Sequence, residues 1–229
     1  MSPMNPRLMR PLARRQAPAP GPTDPYFSQV VLLLHMDGAS NSTTFTDSSS
    51  SPKTVAANGD AKISTAQSKF GGSSALFDGD GDSLSVDTGQ FSGDYTIEFW
   101  FRLGNAETFW SLIGYAGGAN AHIHTYTDGF LYANDAATGM ISGGLIVPAQ
   151  WSHLALVRHD GETTLYQDGV AVGSTSSTIG QGDGTLIIGF VNGGVYLAGY
   201  IDELRVTAGL NGARYTANFT PPTAPFPNS

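Results

Sequence analysis

Apolar and polar residues alternate with a period of two through much of this chain. In "YTIEFWFRL" (95–103), Tyr95, Ile97, Phe99 and Phe101 alternate with Thr96, Glu98, Trp100 and Arg102. Period two puts alternate side chains on opposite faces of a strand. "VVLLLHMDG" (30–38) is instead continuously apolar at its start, the pattern of a strand buried on both faces. "SALFDGDGDSLSVD" (74–87) reads as strand, turn, strand, and "FWSLIGYA" (109–116) as a further strand. "AHIHTYTDGFLYAND" (121–135) is a hairpin turning at Asp128-Gly129. "WSHLALVRHDGETTLYQDGVAVGS" (151–174) turns at Asp160-Gly161 and again at Asp168-Gly169, which makes a three-strand meander. Asp-Gly between apolar runs is a strong hairpin signal, because Gly accepts φ > 0 without a steric penalty. "GTLIIGF" (184–190) and "YIDELRVT" (200–207) complete the set. Short strands about ten residues apart predict an all-β, two-sheet antiparallel sandwich or a barrel. The only helical turn expected lies near "LNGARY" (210–215).

Two segments fall outside this pattern. Residues 1–25 hold seven of the thirteen prolines and four arginines. Such an arm is extended and cannot bury a core. Its apolar knobs, including Leu8 and Met9, set it apart from a purely solvating tail. The end, 211–229, is again Pro-rich, and Phe219 and Phe226 can pin it along the sandwich. The expected organisation is therefore an arm (1–25), a β-domain (26–210) and a tail (211–229).

Composition narrows the chemistry. Charged residues are 13% of the 229, against about 25% in ordinary soluble domains. No cysteine is present, which removes disulfides, thiolate metal sites and thiol catalysis. The net charge of −8 argues against a nucleic-acid partner. The sign is uneven: residues 1–28 carry about +3, the rest about −11. No apolar run approaches a membrane span or a secretory signal, and no membrane partner is expected.

Candidate sites follow from residue type and spacing. Asp78, Asp80 and Asp82 in "DGDGD" are hard oxygen ligands suited to Ca²⁺, but position 89, where a calcium-loop glutamate would stand, is Gly. The competing reading is a plain Gly/Asp hairpin turn. His122 and His124 share a strand face without an evident third ligand. Glycoside hydrolysis needs two carboxylates about 5–9.5 Å apart. Glu98 has Trp100 two residues on but no carboxylate at i±2 or i+4, and the other glutamates are Glu107, Glu162 and Glu203.

Five stretches in order, "GGSSALFDGDGDSLSV", "YTIEFWFRL", "WSHLALVRHDGETTLYQDGVAVGS", "LIIGF" and "GYIDELRVTAGL", resemble the laminin G-like group of concanavalin A-like jelly rolls. The resemblance covers about 29–210. The closing "RYTANFTPPTAPFP" looks like the end of such domains in bacteriophage structural proteins. The resemblance implies two curved sheets of six or seven strands. It implies ligand-binding aromatics at strand ends and beside Gly-rich loops: Trp110, Tyr115, Tyr126, Tyr132 and Tyr196. It also implies an acidic residue at Asp202, joined by Asp37 or Asp47, where a structural Ca²⁺ would tie the chain ends. His153, after Trp151, takes a structural role in it. The glutamate and aspartate motif of the glycosidases of this fold is missing.

The expectation is a non-enzymatic virion structural protein, in a capsid decoration or a tail appendage. Arg7, Leu8, Met9, Arg10, Arg14 and Arg15 of the arm would anchor it on other virion proteins, commonly as a homotrimer. The jelly roll would face outward from the virion surface and meet host-surface glycan. The alternatives are a soluble, extracellular lectin and a glycosidase of the same fold.

Overall fold

The computed structural model describes residues 23–105, 109–116, 122–135, 139–176, 183–191, 194–209 and 212–229. Arg7, Leu8, Met9, Arg10, Arg14 and Arg15 lie outside these residues. Among the described residues, apart from one 3-10 turn at Phe27–Gln29, the regular structure is all strand. Residues 212–215 form no helical turn.

The first strands are β1 (Val30–Leu34), β2 (Val55–Asn58), β3 (Lys62–Ser64), β4 (Ser74–Asp78), β5 (Ser83–Asp87) and β6 (Tyr95–Leu103). The middle of the chain gives β7 (Ser111–Tyr115), β8 (His122–Thr125), β9 (Phe130–Asp135), β10 (Gly139–Leu145), β11 (Ser152–His159) and β12 (Glu162–Gln167). The last are β13 (Val170–Thr175), β14 (Thr185–Ile188), β15 (Phe190–Val191), β16 (Val195–Tyr196) and β17 (Ala198–Ala208).

They build a sandwich of two antiparallel sheets. One sheet has eight strands, in the order β13-β12-β11-β6-β17-β4-β3, with β1 also paired to β17. The other has seven, in the order β10-β9-β8-β7-β14-β5-β2. β15 and β16 form a separate two-stranded ribbon. The eight-strand count exceeds the six or seven implied by resemblance, because short β3 and the first strand β1 both join that sheet.

The Asp-Gly turns fall where the pattern places them. Asp160 and Gly161 have φ of 47° and 85°, and Asp168 and Gly169 have 48° and 79°. Two successive positive φ values match the twist of the flanking strands, so β11, β12 and β13 run as one meander.

The inner faces meet in one core. β6 contributes Ile97, Phe99, Phe101 and Leu103, and β17 contributes Ile201, Leu204 and Val206. Leu112, Ile123, Leu131, Leu186 and Ile188 answer from the seven-stranded sheet. Each such side chain stabilises the fold by about 1.5–3 kcal/mol relative to exposure. β1 is buried on both faces: Leu32 and Leu34 join this core, while Val30 and Leu33 meet Phe226 on the outside.

β17 breaks its alternation. A bulge interrupts its register with β6 between Asp202 and Arg205, and Glu203 takes φ 48° there. Ile201 and Leu204, three apart, both reach the core, so Asp202 and Glu203 both turn outward. A bulge inserts one extra residue and re-aims its neighbours.

The tail then crosses the outer face of the eight-stranded sheet. Ala213, Tyr215 and Phe219 pack on Ala155, Val157 and Tyr166, and Phe226 packs on Val30 and Leu33. The Phe219 amide donates to the Gly169 carbonyl at 2.8 Å. A side chain at Gly169 would run into the Phe219 carbonyl, so this turn suits Gly twice over. At the far end the Asp24 amide donates to the Ser229 carbonyl at 2.6 Å, which joins both ends of the described chain.

Candidate functional site

Alternation sends His124 of β8 and Tyr132 of β9 to the outer face of the seven-stranded sheet, where the two residues pair directly. Their rings stack at 5.7 Å with an interplanar angle of 18°. Phe109, just before β7, lies 4.8 Å from the other side of His124. Tyr126 stands nearly at right angles to Phe109 (5.8 Å, 81°) and to Tyr132 (6.2 Å, 78°). The result is a four-ring surface. Tyr126 is 51% exposed, Tyr132 is half-buried, and His124 forms the floor at 5%.

The β8–β9 turn fixes this surface. The Gly129 amide donates to the Tyr126 carbonyl at 3.0 Å, with Gly129 at φ 79°. Asp128 then accepts from the Tyr132 hydroxyl at 2.5 Å and from the Phe130 amide at 3.0 Å. The Tyr132 hydroxyl, followed by the Phe130 amide, holds the Asp128 carboxyl below its ordinary value. A rim carboxylate beside exposed ring faces is a pairing suited to sugars: rings stack on C–H faces, and the carboxylate accepts from hydroxyls.

The other aromatics expected at a ligand lie elsewhere. Tyr115 is 2% exposed and packs against Phe91 inside the sandwich, so it has no surface to offer a sugar. Trp110 is half-buried against the core, and its indole N–H donates to the Asn105 carbonyl at 3.0 Å. Tyr196 stacks on Phe190 at 4.6 Å in the β15–β16 ribbon. Sequence reasoning missed Phe109 and the ring role of His124. The period-two pairing of His124 with Tyr132 was the available signal. The side chain of His122 lies outside the described residues.

The carboxylates divide in the same way. Asp78 and Asp82 come together with Asp60, not with Asp80, and one oxygen from each lies within 4.8 Å of the others. Three such oxygens could hold a hard cation. Both Asp82 oxygens already brace turns, accepting from the Asp60 amide at 2.7 Å and the Asp78 amide at 3.0 Å. Asp80 is exposed and donates its amide to Asp78. Asp37, Asp47 and Asp202 do not form a ligand group among the described residues. Asp47 accepts from the Leu33, Ser49 and Lys53 amides. Asp202 accepts from the Lys69, Phe70 and Glu203 amides. Burial, opposed by these amides, pushes the Asp202 carboxyl up to about 7. Asp37 is exposed beside the Ser73 hydroxyl.

Glu98 is fully buried and belongs to an ionic network under the tail. Its Oε1 accepts from Arg205 at 2.6 and 2.9 Å, and its Oε2 accepts from the Tyr215 hydroxyl at 2.8 Å. His153 Nε2 lies 3.3 Å away, with Trp100 and Phe219 against its ring. Asp24 bridges Arg205 and Arg214 at 3.1 and 2.8 Å. Burial raises the Glu98 pKa, but Arg205 and His153 overcome it and hold the carboxyl at about 2. A carboxylate so paired stays ionised and sealed from solvent. A cavity of about 380 Å³ opens beside this network, lined by Tyr26, Asp94, His159, Arg205 and Arg214 among others. His159 pairs with Asp94 across it at 2.8 Å, and Arg214 reaches to Asp24 beside it.

Known structures place this architecture. Domain 4 of AbnA, an extracellular GH43 arabinanase of Geobacillus stearothermophilus solved with arabinotriose, is similar at a TM-score of 0.61. The two share 20% identity, over 79% of this chain and 93% of that domain. A botulinum neurotoxin type C structure, from work on cell entry through two ganglioside molecules, gives 0.60 at 14% identity, over 82% and 50% of the two chains. Trypanosoma rangeli sialidase gives 0.59 at 16% identity, over 80% and 31%. This chain thus spans half or less of those last two. Such identities speak for the fold alone, a lectin-like fold of the kind found in carbohydrate-binding proteins. No curated protein matches the sequence. A family profile for the concanavalin A-like lectin/glucanases superfamily matches residues 78–210, more than half of the sequence, and the chain belongs to that superfamily.

Proposed function

We propose that this chain is a non-enzymatic carbohydrate-binding module whose sugar site is the four-ring surface on the seven-stranded sheet. The observation that carries the reading is an exposed ring, Tyr126, set at right angles to Phe109 and Tyr132 beside the Asp128 carboxylate. Sugar binding also appears among the fold's neighbours: the arabinanase domain was solved with arabinotriose and the neurotoxin is linked to gangliosides. The test is a glycan array probed with the full chain and with Tyr126→Ala. Binding lost in the variant supports the site. Binding unchanged in the variant places any sugar elsewhere. The glycosidase alternative would require turnover that disappears in Glu98→Gln, and Glu98 is already committed to Arg205 and Tyr215.

A second reading concerns display, and its basis is the charge asymmetry. An arm of four arginines, Leu8 and Met9 precedes a strongly acidic body. In this reading the chain is a virion structural protein. The arm orders on an acidic neighbour through Arg7, Arg10, Arg14 and Arg15, and the sugar-binding face is held outward. Co-sedimentation with particles from the source lysate, full chain against residues 26–229, tests it. Pelleting of the full chain alone supports an anchoring arm, and pelleting of both excludes one.

A further inference from the structure

We propose that the four-ring surface selects uncharged saccharides and rejects acidic ones. This inference rests on that surface being the sugar site. The seven Lys and Arg residues beyond the arm are Lys53, Lys62, Lys69, Arg102, Arg158, Arg205 and Arg214. None stands on a strand of the seven-stranded sheet. Lys62, Arg102, Arg158 and Arg205 are on β3, β6, β11 and β17 of the opposite sheet. Lys69 sits 3.7 Å over the Trp100 ring of β6, and Lys53 donates to the Val31 carbonyl of β1 at 2.5 Å. Arg214 is in the tail, bound to Asp24.

The stretch of chain that supplies the rings carries the same asymmetry. Between Arg102 and Arg158 there is no Lys or Arg, while Glu107, Asp128 and Asp135 occur there. That stretch supplies the four rings. Of its acids, Asp128 is placed at the ring edge by its bond from Tyr132.

The physics has one direction. A carboxylate or sulfate brought onto this surface sheds water and meets no Lys or Arg from the strands beneath it in return. It also meets the negative π-faces of the rings and the Asp128 charge. A neutral pyranose meets none of these obstacles. Its C–H face stacks on Tyr126, and its hydroxyls donate to Asp128. Specificity here is achieved by repelling the wrong ligand, a recognised route to discrimination.

The experiment compares matched pairs. Each neutral oligosaccharide is printed beside the same one bearing sialic acid, glucuronic acid or sulfate. The full chain and Tyr126→Ala are both applied at pH 8, above the ordinary histidine range of about 6.5. The expected result is neutral ligands bound, acidic partners at least about tenfold weaker, and the binding lost in Tyr126→Ala. Raising the salt should narrow the gap, since exposed charges are screened. Acidic partners bound as tightly as neutral ones, with Tyr126→Ala abolishing both, would overturn the selectivity and leave the sugar site standing. Absence of binding to either class, or binding indifferent to Tyr126→Ala, would overturn both readings.

Discussion

The two outer faces of the sandwich solve opposite problems. On the eight-stranded sheet, the tail covers an ionic network in which Arg205 pairs with Glu98 and Asp24, and Asp24 also pairs with Arg214. On the seven-stranded sheet, the Tyr126 ring stands in the open and no Lys or Arg lies on any strand. Opposite charges are thus paired where solvent is excluded, while the strands of the open face carry neither Lys nor Arg. The covered face holds the molecule together, and the bare face is available for a ligand. A residue's chemistry alone does not separate the two roles: Glu98 beside Trp100 and Asp128 beside Tyr132 look alike in sequence, and coverage by the tail distinguishes them.

The sharpest way to break this contrast is on the covered side. Arg205→Leu leaves Glu98 and Asp24 buried with their shared cation gone. The expected loss is about 3–5 kcal/mol, the usual effect of orphaning one member of a buried pair. Urea unfolding measures it. A loss below about 1 kcal/mol, the range of surface pairs, would mean that the network is wet and that the tail does not seal it.

The tail's own grip comes next. Phe226 is 5% exposed, packs on Val30 and Leu33, and lies 3.9 Å from the Arg205 guanidinium. Phe226→Ala should destabilise by about 3 kcal/mol, near the lower end of buried Phe truncations. Equilibrium unfolding would detect this, and hydrogen exchange should show the amides of β1 losing protection first.

A smaller effect is set by pH. Glu98, held at about 2 against an ordinary 4.5, stabilises the fold above pH 4.5, and this is lost as pH falls toward 2. His35 moves the other way. Burial lowers its pKa, but Glu203 at 2.9 Å and Asn228 raise it above 6.5. Its contribution is complete below pH 6.5 and lost as pH rises through the raised value. Asp202, pushed up to about 7 from 3.8, holds a proton in the folded state that the unfolded chain has lost, so it opposes folding increasingly across that range. Stability should therefore peak near pH 4 and fall toward pH 8, read as the urea midpoint. His35→Gln should flatten the fall. An unchanged slope would remove His35 from the account.

Much of the fold was legible because period two and Asp-Gly turns are local signals. The meander of β11, β12 and β13 needed nothing beyond them. The fate of "YIDELRV" was not legible, because strict alternation would send either Asp202 or Glu203 inward. The bulge that turns both outward answers to partners far along the chain, Lys69 and Phe70 for Asp202 and His35 for Glu203. The same limit misplaced the aromatics. Tyr115 and Tyr132 both stand in strands near Gly-rich stretches, and only the register decides that one faces the core and the other the solvent. Asp60 escaped notice because its meeting with Asp78 and Asp82 depends on how two separate turns come together.

The bare face allows the most discriminating test, since there stability and binding should part company. Tyr126 is half exposed, beyond the end of β8, and its ring touches others only edge-on. Tyr126→Ala should change stability by no more than about 0.5 kcal/mol, as surface substitutions do. The same change removes the ring face that a sugar would cover. One aromatic contact of about 1.4 kcal/mol is tenfold in affinity, so binding should weaken at least about tenfold. Arg205→Leu should do the opposite: a large loss of stability, with unchanged affinity in the fraction that remains folded. A Tyr126→Ala protein that unfolds easily would make the four rings a structural cluster, and the division of labour between the two faces would fall with it.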